Sequence, residues 1–520
     1  MKKPNIVFIM ADQMTAYALS AYGNKVTKTP NLDRLAAEGT VFENAYCPYP
    51  LCAPSRFALM AGRLPSKIGA FDNAAEFPAA VPTFAHYLRD AGYYTCLSGK
   101  MHFVGPDQQH GFEDRLTTEI YPADFSWTPL TYEQVGDPEQ PETHVKTQGV
   151  SSVETVSDAS AVARSLQIDY DDEVARRAVQ QIYDWRRYGD GRSLFMTVSF
   201  TQPHDPYVST PEFWDLYKDE DIDEPRVAKI PLDQMDAHSR GLYFHYGLDK
   251  YNVTDEVYRR ARHGYYAMIS YIDKRVGELR AALESTGMAK ETIVMFTSDH
   301  GDMVGERGLW FKKNLFDPAL SVPLIYFDPR KQGLSRVKAP VSLVDVLPTL
   351  VDIANGSEDA IVTPFEGSSL LPLMSKDEPD RIVVAEHLDG GTKAPRVMVR
   401  EGDFKLIYSE AYPPQLYNLA ADPGEQLNLA ENPEYGAILE KLKQVLSRTW
   451  DLGRLRDEVV ASQKTRQFLM RSLHTGKVTD WETYPNAVRE HTKFVRRGEY
   501  FPEAEQRSYL GLPDRDRIEQ

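Results

Sequence analysis

The chain has 520 residues and a formal net charge of −17, which gives it length for a large core and the wrong sign for a nucleic-acid partner. Cys47, Cys52 and Cys96 are too few and too scattered for a disulfide framework or a zinc cluster, which favours a reducing compartment. The opening M-K-K-P-N-I-V-F-I-M-A-D-Q carries a short apolar run ending on Asp12, and no run is long enough to span a bilayer. A first strand is therefore expected there, not a signal peptide, and a cytoplasmic enzyme with no membrane partner.

Asn5 to Ala11 reads as a fully buried strand with Asp12 at its C-terminal end. Thr29-Pro30-Asn31 starts a helix with Leu32, Leu35 and Ala36 on one face, and Gly39 ends it. Val41 to Tyr46 is extended and leads into Y-C-P-Y-P-L-C-A-P-S-R-F-A-L-M-A-G-R. Pro54 suits the first turn of a helix, because its missing N–H costs nothing there. That puts Cys52 at a helix N-terminus, an anion site where a thiol is expected to have a lowered pKa. Phe71 to Pro78 is a loop, Thr83 to Ala91 a helix, and Tyr93 to Leu97 a strand that delivers Lys100 and His102.

Leu116 to Val153 is long, aromatic and Pro-rich, as the wall of an active site often is. Asp172 to Arg187 reads as a helix, Leu194 to Phe200 as a strand ending near His204, and Lys218 to Tyr251 as irregular. A long helix over Asp255 to Leu283 precedes the strand Thr292 to Thr297, which delivers Asp299 and His300. Both can face one point only from a turn, which Gly301 permits. A loop with Lys312, a strand over Val322 to Phe327 and a helix over Leu343 to Ala354 follow. After about Pro372 the pattern becomes a small antiparallel sheet: Ile382 to Glu386, then a hairpin of Arg396 to Arg400 and Phe404 to Tyr408, with a helix over Ile438 to Trp450. The expected division is a catalytic α/β domain over 1–375, an α+β domain over 376–461 and an extended tail over 462–520 at a subunit interface.

Strands alternating with helices predict a doubly wound, mostly parallel sheet, whose ligands bind at the C-terminal strand edge. Asp12, Cys52, Lys100, His102, His204, Asp299, His300 and Lys312 all fall at such ends or in the loops after them.

The core Cys52-Ala53-Pro54-Ser55-Arg56, followed by Gly62-Arg63, resembles the signature of the type I sulfatases, in which the cysteine is oxidised to formylglycine before folding. Within that family, D-N-A-A-E-F-P at 72–78, G-K-M-H-F-V-G-P-D-Q at 99–108, Y-P-A-D-F-S-W-T-P at 121–129 and A-E-H at 385–387 are most similar to the choline-sulfatase branch. The resemblance implies an alkaline-phosphatase-like fold and a divalent cation held by Asp12, residue 52, Asp299 and His300. Many sulfatases have paired acids in the first strand and Asp-Asn in the later one; here Ala11 and His300 stand instead. Oxygen-rich ligation favours calcium, with manganese or magnesium as alternatives. The resemblance also implies that the hydrated aldehyde attacks sulfur, the alcohol leaves, and sulfate is then expelled by C–O cleavage. Arg56, Lys100 and Lys312 would hold the sulfate oxygens, His204 with Lys312 would protonate the leaving oxygen, and His102 would be the base.

For choline O-sulfate, Trp127 and Glu386 would bind the trimethylammonium group and Asn73 would shape the passage. A maturation enzyme and a homo-oligomer are expected as partners. The alternatives are a phosphonate or phosphate monoester hydrolase, an arylsulfatase, or a non-catalytic binder of a sulfated ligand.

Overall fold

The computed structural model describes residues 3–140, 151–251, 253–331, 333, 335–478 and 481–482. The core is one eight-stranded sheet. In chain order its first strands and helices are β1 (Asn5–Ala11), α1 (Pro30–Glu38), β2 (Thr40–Tyr46), α2 (Cys52–Ala61), α3 (Phe84–Asp90), β3 (Tyr93–Gly99) and β4 (Asp114–Arg115). Then come α4 (Leu166–Tyr188), β5 (Ser193–Ser199), α5 (Ala237–His245), α6 (Asp255–Ser285), β6 (Thr292–Ser298), β7 (Leu324–Phe327), β8 (Arg336–Ser342) and α7 (Val346–Asn355).

The strand order is β8-β2-β7-β6-β1-β5-β3-β4. Only β7 runs antiparallel to its neighbours. β1 lies between β5 and β6, with Ile9 level with Val198 and Phe296. Helices α1, α4 and α6 pack together, and α2, α3 and α7 form a second group. A strand covered on both faces must be apolar throughout, which is why β1 reads I-V-F-I-M with no alternation. The fold class is the doubly wound sheet that the strand–helix alternation predicts.

The smaller sheet is antiparallel, ordered β9 (Ile382–His387), β10 (Arg396–Glu401), β11 (Phe404–Ser409), β12 (Tyr412–Asn418). Helices α8 (Gly436–Thr449) and α9 (Leu452–Leu473) follow. Their apolar faces form a second core with Val397, Val399, Leu406 and Leu416, and that core reaches Tyr49 and Leu51 just before α2.

Three expectations need correction. The stretch 218–251 is not wholly irregular: α5 lies in it, capped by Asp236, which accepts from Ser239 N at 3.1 Å. A boundary at 461/462 falls inside α9, whose buried stripe is Leu452, Leu455, Val459, Gln463 and Arg466. The last two are polar, so the helical period fades from the hydrophobic pattern although the helix continues. The rest of the expected tail, 483–520, lies outside the described residues. Finally, β8 went unread because Lys338 and Pro340 interrupt it; it is an edge strand, where proline is tolerated.

Candidate active site

The parallel strands β1, β3, β5 and β6 bring their C-terminal ends to one edge, and the residues after them meet there. Close approach is built into that edge. Gly99 has φ +109°, and a Cβ on it would stand 1.8 Å from Ser199 O. A Cβ on Gly301 would stand 2.1 Å from Pro318 O, so this glycine is required by lack of space, not by its φ.

Helix α2 sets residue 52 among these ends. All ten residues of α2 are buried. Asn73 Oδ1 accepts from Ala53 N at 3.0 Å, satisfying one of the free N–H groups of the first turn. Ser55 Oγ donates to Asp299 O at 2.6 Å. Arg56 donates from Nε to Asp299 Oδ2 at 2.8 Å, from Nη2 to Asp12 Oδ2 at 3.1 Å, and from Nη1 to Lys100 O at 2.6 Å and Ser199 Oγ at 2.8 Å. The donors of Arg56 tie β1, β3, β5 and β6 together at their ends.

Asp12, Cys52, Asp299 and His300 offer ligand atoms that all lie within 4.8 Å of one another, every one buried. Cys52 Sγ is 3.2 Å from His300 Nε2 and 3.7 Å from Asp12 Oδ1. His300 Nδ1 faces Gly301 O at 2.9 Å, so Nδ1 carries the proton and the Nε2 lone pair points into the group. Each carboxylate divides its work. Asp12 Oδ2 takes Arg56 and Lys100, which leaves Oδ1 toward the cluster. Asp299 Oδ1 accepts from Gln13 N at 3.0 Å and His300 N at 2.8 Å. Burial raises the Asp12 pKa, but Lys100 and then Arg56 pull it well below the usual carboxylate range. Two carboxylates and an imidazole with its lone pair inward fit a divalent cation.

The thiol behaves otherwise than its helix position suggests. Burial and then Asp12 push Cys52 up to about 11, against the pull of Lys100 and Lys312. Desolvation and a carboxylate neighbour outweigh the helix N-terminus.

Around this group stand His102, His204 and Lys312. His102 is wholly buried with neither ring nitrogen hydrogen-bonded, and burial, then Lys100 and Arg56, lower its pKa well below the usual value. Its backbone has φ 60°, held by Glu119 Oε2, which accepts from His102 N at 2.8 Å and Met101 N at 3.0 Å. Lys312 Nζ lies 2.7 Å from His204 Nε2, and His204 Nδ1 lies 2.8 Å from Asp205 O. Lys312 Nζ also donates to Gln13 Oε1. Burial and Lys312 lower the His204 pKa well below the usual value.

Gln13, Ser55, Glu119 and Tyr121 were missed in the sequence. Gln13 follows Asp12 directly, and its position after a buried apolar run was the available signal. Tyr121 lies under Lys100 Nζ, 4.1 Å from the ring centroid, and belongs to the Y-P-A-D-F-S-W-T-P stretch.

Of the residues expected at the alcohol end, Trp127 is half-buried, 5.7 Å from the His102 ring and 4.9 Å from the Tyr121 ring. Asn73 sits on the first turn of α2. Glu386 is engaged elsewhere: its Oε1 accepts from Ser66 N and its Oε2 from Trp450 Nε1, the latter at 2.8 Å. Burial pushes its pKa up to about 7. Each of its oxygens thus already accepts one hydrogen bond.

The fold and this edge define an alkaline-phosphatase-like hydrolase. Residues 4–357 match the sulfatase family, and residues 305–451 match the C-terminal region of N-sulphoglucosamine sulphohydrolase. The chain is 43% identical to a choline-sulfatase of Rhizobium meliloti over 93% of this chain and 94% of that one. It is 30% identical to an arylsulfatase of Clostridium perfringens over 85% and 94%. The phosphonate monoester hydrolase of Agrobacterium radiobacter superposes with a TM-score of 0.66 at 25% identity, over 88% of this chain and 96% of that one. The chain belongs to the sulfatase family and is a sulfuric ester hydrolase. Among the described residues no helix is long and apolar enough to cross a membrane.

Proposed function

We propose that this enzyme hydrolyses choline O-sulfate to choline and sulfate, with residue 52 as formylglycine. The observation that carries the reading is the convergence of Asp12, residue 52, Asp299 and His300 within 4.8 Å, beside a pair of lysines and two neutral histidines. A divalent cation in that group, calcium by its oxygen-rich donors, would supply the positive charge that makes a hydroxyl of the hydrated aldehyde nucleophilic.

The chain's own residues do the rest. Lys100 and Lys312 offset the charge of the sulfate oxygens, and Arg56 holds the carboxylates that frame it. The Lys312–His204 pair passes a proton to the departing choline oxygen. His102, kept neutral by burial and by Lys100, takes the proton from the second hydroxyl of residue 52. Trp127 offers the face for the trimethylammonium group, which has no N–H to donate. Asn73 keeps the first turn of α2 in register.

The similarity to a choline-sulfatase supports the substrate, and the Agrobacterium structure favours a phosphonate or phosphate monoester as the second reading. The test is the intact mass of the Cys52 peptide, with turnover of choline sulfate, an aryl sulfate and a phosphonate ester measured side by side. A mass lower than cysteine by the conversion to an aldehyde, with choline sulfate preferred, is expected. An unmodified thiol in fully active protein, or a preference for the phosphonate, overturns the reading.

We also propose a cytoplasmic homo-oligomer, matured by a formylglycine-generating enzyme. A monomer by light scattering would refute it.

A further inference from the structure

Away from the active site, between α5 and the small sheet, lies a buried guanidinium without a carboxylate. Arg396 opens β10 and is 1% exposed. Its Nη1 donates to His238 Nδ1 and its Nη2 to Gln415 Oε1 at 3.3 Å, while Nε has no acceptor. Arg56 meets Asp12 and Asp299, Arg262 meets Asp223 at 2.8 Å, and Arg466 meets Asp72 at 2.6 Å, whereas Arg307 and Arg400 are held by neutral oxygens. Among the described residues Arg396 meets no acid, and Asp236 acts on it only across a distance. A buried, unpaired charge is unfavourable unless an opposite charge arrives.

The neighbours lack acceptors as well. Arginine has no lone pair to offer, so His238 Nδ1 is the acceptor and the ring proton sits on Nε2. That Nε2 has no partner. His387 is the cross-strand neighbour of Arg396, and its ring centroid lies 5.7 Å from that of His238. Neither of its nitrogens is hydrogen-bonded, and Nε2 lies 3.6 Å from Asp389 Oδ1. A neutral imidazole carries one N–H. The group therefore shows three orphaned donors, on Arg396 Nε, His238 Nε2 and His387, against one orphaned acceptor.

The charges can be counted. Burial, then Arg396 for His238 and Lys313 for His387, keeps both rings neutral. Lys313 is offset by Asp389, 3.4 Å away. The Arg396 charge remains without a carboxylate in contact, enclosed by buried side chains, with Asp236 acting on it only from a distance.

We propose that Arg396, His238 and His387 bind one monovalent anion of halide size, chloride in the cell, between α5 and the small sheet. One negative charge balances the group, whereas a sulfate dianion would exceed it. The ion would lock the small sheet to α5.

Two measurements on the full-length enzyme decide the matter. Crystals grown in bromide are expected to show an anomalous peak within contact of Arg396 Nε. In gluconate buffer the Tm is expected to shift upward with added chloride, and Arg396→Gln to lose that shift. No anomalous peak at Arg396, with bromide bound elsewhere, overturns the proposal. So does an equal chloride response in both proteins, or a response to sulfate with none to chloride. Should Arg396→Gln fail to fold, His387→Asn is expected to weaken the response several-fold, and the bromide peak is read on the unaltered chain.

Discussion

The sulfate end and the alcohol end of the site are built on different plans. At the sulfate end, Asp12, Lys100, Asp299 and His300 stand at the ends of neighbouring strands and Arg56 on α2, wholly buried and already paired with one another. At the alcohol end, Asn73 and Trp127 stand on loops and are only half-buried. Those loops are held by a helix from the far end of the chain. Arg466 on α9 makes a two-pronged contact to Asp72, 2.6 Å on each arm, and reaches Thr128 Oγ1 at 3.5 Å. Gln467 donates to Pro129 O at 3.0 Å. On the proposed reading, charge chemistry falls to the rigid sheet and substrate choice to loops whose position is set by a separate element.

The comparison can be broken first at its rigid half. Cys52→Ala is expected to lower kcat about 10⁴-fold or more on every ester, with the far-UV spectrum unchanged. Asp12→Asn removes the counter-charge of buried Lys100 and Arg56. It is expected to cost about 3–5 kcal/mol in urea unfolding and to empty the cation site by metal analysis.

The loop half should respond selectively. Arg466→Met leaves Asp72 buried and unpaired, so about 3 kcal/mol of stability is at stake, and kcat/KM for choline sulfate should fall further than for an aryl sulfate. Adding Asp72→Asn should restore part of both. Trp127→Ala is expected to cost about 1–2 kcal/mol in kcat/KM for choline sulfate, and much less for a neutral aryl sulfate. An equal loss on the two substrates would erase the distinction between the ends.

The smallest effect is a pH dependence. Glu386 has a folded-state pKa of about 7, above its ordinary value of 4.5. The folded chain therefore holds this proton where the unfolded chain has released it, and stability falls as pH rises from about 4.5 through 7. Glu386→Gln should flatten that part of the stability curve while leaving the selectivity for choline sulfate in place. A loss of selectivity would return Glu386 to the substrate.

The strand ends were legible because buried parallel strands announce themselves as apolar runs, and Asp12, Lys100, His204 and Asp299 follow such runs closely. The partners were not. Arg56 could be seen as a cation near the nucleophile, but its four acceptors lie on separate strands. Glu386 alternates correctly on β9, yet Ser66 and Trp450, which claim it, are remote in sequence. The helix over 452–473 was hidden because its buried face ends in Gln463 and Arg466. The Cys52 thiol was misjudged because a local helix terminus is visible in sequence and tertiary desolvation is not.

The clamp of Arg466 on Asp72 also has a meaning in time. Cys52 is 1% exposed in the folded chain, so an enzyme that oxidises it needs the segment while it is still open. On the formylglycine reading, the residue that fastens the neighbouring loop is made about 400 residues later. At about 5–20 residues per second, the ribosome leaves roughly 20–80 s between the two. Modification is then a race against the arrival of the C-terminal helix, and a molecule that closes first keeps its thiol and stays inert. When synthesis outruns the oxidising enzyme, the yield of active protein is decided on the ribosome, and no later incubation of the folded chain recovers it.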